Sequence, residues 1–198
     1  MRRDRRRAST RSFEPRSMAR LECNAWYGYY RREWLRVLAA ALGLVREGFG
    51  LPWPHAVWGA WLVLRGNQLW APYPDNDPEG ARLCMARFYA LVVSTSHELF
   101  DVDRAARLEV EWWRVHRDLQ HDVGGSDPEE LTRALCRLYS HVYRLPEQAV
   151  TTAAAERAAA ARFCDRWVAE GCDPKSPLLR RVRGALLRSY SSLRAAVS

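Results

Sequence analysis

Asp-Pro recurs three times in this chain, at Asp77-Pro78, Asp127-Pro128 and Asp173-Pro174. An aspartate accepts hydrogen bonds from the orphan N–H groups of a first helical turn, and proline fits the first helical position, where no donor is needed. Each pair therefore predicts a helix start. The stretches "NDPEGAR" and "SDPEELTR" add an acidic residue directly after the proline, which suits the positive end of a helix dipole. The same reading accounts for Asp75, Asp77 and Glu79, whose spacing does not follow that of a calcium loop.

Apolar residues recur at helical spacing between such breaks and predict seven helices, at about 22–47, 54–70, 78–97, 102–121, 128–143, 147–170 and 177–196. The connectors "GFGLPWP", "APYPDN", "VGGS", "LP" and "GCDP" are short and rich in breakers. Short connectors make neighbouring helices antiparallel. The predicted fold is a compact, single-domain, all-α bundle over residues 21–198. Tyr27, Tyr30, Trp34, Val37, Leu38, Ala41 and Val45 form one core stripe, and Leu179, Val182, Leu186, Tyr190, Leu193 and Val197 another.

Charge is unevenly spread. Residues 1–20 hold eight Arg against Asp4 and Glu14, a net +6 of the chain's +8, which leaves +2 for the rest. This stretch has no apolar period and reads as a disordered basic tail. Lys175 is the only lysine among 31 basic residues, which suggests a GC-rich bacterial coding sequence. Upstream DNA of that kind translates as Arg-rich peptide, so Met18 is a candidate start. A nucleic-acid arm is the less favoured account, because a basic block alone is a weak motif.

The longest apolar run, around "AVWGAWLVL", is too short to span a bilayer and meets Arg65. The five cysteines have no CxxC or zinc spacing, and a reducing cytoplasm is the simplest inference. The chain contains no Gly-x-Ser-x-Gly elbow, phosphate-binding loop or HExxH motif.

The candidate chemistry centres on "LEVEWWRVHRDLQH", residues 108–121. Leu108, Trp112, Val115 and Leu119 form its apolar stripe. Glu111, Arg114, Arg117, Asp118 and Asp122 lie largely opposite, with Arg107–Glu111 and Arg114–Asp118 at ion-pair spacing, as on a solvated face. His121 falls at the helix end. Glu109 and His116 differ: a seven-residue step returns them to one angle beside Trp112, about 10.5 Å apart along the axis. That distance brackets a site without forming one. Arg65 sits amid Trp58, Trp61, Leu62 and Leu69, where a guanidinium needs a carboxylate, ring face or anion. Glu33 is a candidate partner, with Arg36 as a local rival.

On the structural account, Glu33 or Glu109 pairs with Arg65 and the group fixes helix docking. On the functional account, Glu33, Arg65, Glu109 and His116 line a pocket walled by Trp58, Trp61 and Trp112, for a small anionic or planar ligand. The leading expectation is a non-enzymatic cytoplasmic protein that binds a small molecule or a protein partner, with homodimerisation on general grounds. The alternative is an iron- or haem-dependent oxidase or oxygenase. In length and helix number the chain invites comparison with haem-oxygenase-like helical enzymes and their di-iron relatives, at the level of fold size alone. A di-iron carboxylate bundle has Glu-x-x-His on two helices, which this chain lacks. Its metal would need Glu33, Glu109 and His116 with His141 or His97.

Overall fold

The computed structural model describes residues 10–96, 98–121 and 127–198. These contain eight helices: α1 (Pro15–Tyr30), α2 (Trp34–Phe49), α3 (Trp53–Trp70), α4 (Pro78–Ser96), α5 (Val102–Gln120), α6 (Pro128–Tyr143), α7 (Glu147–Ala169) and α8 (Leu178–Val197). Two of the three Asp-Pro pairs start helices as predicted. Asp77 accepts from the Gly80 N–H at 2.8 Å and Asp127 from the Glu129 N–H at 2.9 Å. Asp173 accepts from Lys175 N–H but opens only a turn; α8 starts later, where the Ser176 hydroxyl accepts from the Leu178 N–H.

The predicted first helix is two. Arg32 adopts a left-handed conformation, with φ 59°, and ends α1 without any glycine or proline at the break. Gly28 permits the corner: a Cβ there would stand 3.1 Å from Val37 and 3.2 Å from the Glu33 carbonyl oxygen. Glu33 N–H donates to the Gly28 carbonyl at 2.8 Å, which closes the turn.

Residues 10–20, expected as tail, belong to the fold. Glu14 caps α1 by accepting from Arg16 and Ser17 N–H, with Pro15 at the first helical position. Phe13 is buried edge-on against Tyr190, and Thr10, fully buried, donates to Glu98 at 2.6 Å. Arg11 donates to the Tyr143 carbonyl. A chain started at Met18 would lose all of these contacts. Residues 1–9, His97 and Asp122 lie outside the described residues.

Each helix packs on the one before it, and α8 returns to pack on α1, so the bundle closes into a ring. Helix direction alternates around it. The C-terminal ends of α1, α3, α5 and α7 meet at one end, where Arg117 donates to the Trp70 carbonyl and Tyr29 hydroxyl, and Gln120 joins Tyr30 to Asp165. The opposite end is crossed by residues 10–14, which tie together the ends of α2, α4, α6 and α8. No helix among the described residues is long and apolar enough to cross a membrane.

Candidate functional site

The inner side of the ring is set by which face of each helix is small, apolar or ring-bearing. On α5, capped by Asp101 through the Arg104 N–H, the buried face is Ala105, Ala106, Leu108, Trp112, Trp113 and Val115. Glu109, Trp112 and His116 look from this face into a central cavity of about 620 Å³. Glu109 and His116 do share one edge of the core, as their spacing predicts, but each has its own partners.

Glu109 accepts from the Tyr89 hydroxyl at 2.7 Å and from the Trp112 indole N–H at 3.1 Å. Burial, then the charge of Glu109, pushes the Tyr89 phenol well above its usual range, so it remains a protonated donor. One helical repeat further on, His116 Nε2 lies 2.9 and 3.0 Å from the two carboxylate oxygens of Asp165. Because a carboxylate accepts, Nε2 carries the proton of this bond. Gln120 donates to Asp165 at 2.7 Å and to the Tyr30 hydroxyl at 2.8 Å, which fixes the carboxylate in place.

A third cluster was not legible in the sequence. Arg157 of α7 donates to Glu22 of α1 at 2.6 and 3.0 Å, and Tyr190 of α8 donates to the other Glu22 oxygen at 2.6 Å. The guanidinium also lies 4.8 Å from the centre of the Trp112 ring. Burial opposes its charge, but Glu22, the buried tyrosines and Glu109 hold the guanidinium more firmly protonated than usual. Removal of one partner would leave the other charge buried and unpaired. The signal in the sequence is faint: Arg157 stands in the alanine run "AAAERAAAA", three residues after Ala154 and four before Ala161, both buried.

Four predicted pocket residues lie elsewhere. Trp58 and Trp61 are 52% and 45% exposed on the outer side of α3, and Arg65 is exposed there with its guanidinium on Gln68 at 2.6 Å. The buried residues of α3 are instead Ala56, Gly59, Ala60 and Gly66 with Leu62, Leu64 and Trp70. Glu33 sits at the start of α2, paired with Arg31 at 2.8 Å and Arg36 at 3.2 Å rather than with Arg65. His141, the fourth ligand of the metal alternative, bonds the Asp101 carbonyl at 2.8 Å. Glu33, Glu109, His116 and His141 thus do not converge. Among the described residues no three His, Cys, Asp or Glu side chains are grouped to hold a metal ion.

The cavity opens at the end where α1, α3, α5 and α7 finish. Tyr73, exposed, and His121, at the end of α5, stack there with ring centres 4.0 Å apart. Arg117 lies over the Trp70 ring at 4.6 Å and donates to main-chain carbonyls of Trp70 and Pro72. Comparison with protein-family models, curated proteins and solved structures gives no match.

Proposed function

We propose that this protein binds a small organic molecule inside the helix ring, as a cytoplasmic binding or accessory protein rather than an enzyme. The observation that carries the reading is the cavity: about 620 Å³ lies within the range of small-molecule sites. Its walls are largely aromatic and aliphatic, with a few fixed polar groups, and this is the composition such sites need. Those polar groups are engaged with one another, which suits holding a ligand better than transforming it. The five cysteines are free thiols, in keeping with a reducing compartment.

A neutral fluorescent probe, N-phenyl-1-naphthylamine, tests the reading. Titration should show saturable binding of one probe per chain. Ala25 lines the cavity from α1, so Ala25→Phe should abolish the signal while the circular dichroism spectrum is kept. Linear, unsaturable fluorescence with the parent protein, or full binding by the filled variant, overturns it.

A further inference from the structure

As many guanidiniums as carboxylates line the cavity, but they are unevenly placed along it, and that placement selects a ligand. Three carboxylates line it, those of Glu22, Glu109 and Asp165. The interior guanidinium, Arg157, is spent on Glu22, to which it makes two hydrogen bonds. Glu109 has only neutral donors, Tyr89 and Trp112, and makes no ion pair with a described residue. The cavity's other guanidiniums, Arg32 and Arg117, are held at the open end by main-chain carbonyls at the end of α3. Glu22 and Glu109 therefore share Arg157, and the interior carries one formal negative charge in excess.

An ionised carboxylate away from water is costly unless a cation joins it. Glu109 meets the O–H of Tyr89 and the N–H of Trp112, and the neighbouring rings of Phe88 and Trp113 also line the cavity, where ring faces attract cations and repel anions. An anionic ligand would meet carboxylates and ring faces. A neutral one would leave Glu22 and Glu109 to share Arg157.

We infer that the ligand is an organic cation, an ammonium group on an apolar or aromatic body, with its charge at Glu109 and its body along Trp112. This rests on the proposed function and specifies its ligand. Calorimetric titration with three matched probes tests it: 1-naphthylmethylamine, 1-naphthalenemethanol and 1-naphthoic acid, at neutral pH in the full chain. The amine should bind at least about tenfold more tightly than the alcohol, with the acid weakest. In Glu109→Gln the preference for the amine over the alcohol should be lost.

Equal or tighter binding of the alcohol or the acid overturns the inference, as does a Glu109→Gln variant that keeps the amine preference. If that variant fails to fold, the three-probe series on the parent protein decides alone. Failure of the amine while N-phenyl-1-naphthylamine still binds sinks the cation and leaves the cavity reading standing; failure of all four probes sinks both.

Discussion

Helices α3 and α5 carry almost the same kind of sequence and turn it in opposite directions. Each carries a pair of tryptophans near a charged residue: Trp58, Trp61 and Arg65 on α3, and Trp112, Trp113 and Glu109 on α5. On α5 the tryptophans are 7% and 8% exposed, and the charge faces a cavity. On α3, Trp58 and Trp61 are about half exposed and the charge is in solvent. The opposite faces decide it. Behind the α5 tryptophans lie Arg107, Arg114 and Asp118, which solvate well in ion pairs such as Arg114–Asp118 at 2.6 Å. Behind the α3 tryptophans runs Ala56, Gly59, Ala60, Val63, Gly66, Asn67 and Trp70, a stripe at helical spacing whose small members let neighbouring helices come close. Close packing of backbone and small side chains outcompetes burial of two large rings, so the largest residues of a helix do not always mark its inner side.

The sharpest test of that contrast is truncation on each helix. Trp112→Ala removes a buried ring and one of the two donors to Glu109, and should cost about 3–5 kcal/mol in urea unfolding. An equal cost for Trp61→Ala would break the comparison. Next in size is Gly59→Leu. A Cβ at Gly59 would already stand 3.3 Å from Val45 and 3.4 Å from Phe88, so the further carbons of leucine have no room. Overpacking of this kind should cost about 1–3 kcal/mol. A neutral Gly59→Leu would mean that α3 does not pack through its small face.

The same contrast explains what the sequence disclosed. Periodicity and capping located the helices, because both depend on neighbours three or four residues apart. Glu14-Pro15 is the same punctuation as Asp-Pro with one more methylene, yet the surrounding arginines of "STRSFEPRSMAR" conceal it. The break at Arg31–Glu33 carries no breaker at all; it is made by a left-handed Arg32 and by Gly28, which lets α2 fold back. At the site, the angle along α5 groups Glu109, Trp112 and His116, and all three line the cavity. Their partners Tyr89 and Asp165 come from α4 and α7, and no angle on one helix chooses residues on another. Arg65 lies outside because α3 turns its other face inward, and Glu33 stands at the start of α2 beside Arg31 and Arg36.

The smallest expected effect is the most discriminating. Replacement of both outer tryptophans, Trp58→Ser with Trp61→Ser, removes ring surface that is already about half in water. Exposed substitutions of this kind fall within about 0.5 kcal/mol per site. The urea midpoint should therefore move little, and N-phenyl-1-naphthylamine should bind as before, since neither ring lines the cavity. A large loss of stability that shrinks on dilution would have a definite meaning, because only an associated state depends on protein concentration. It would show that a second copy covers α3 in solution and that the outer stripe is an interface. A large loss independent of concentration would instead place these rings inside the monomer, and the ring of helices would have to be redrawn with α3 rotated.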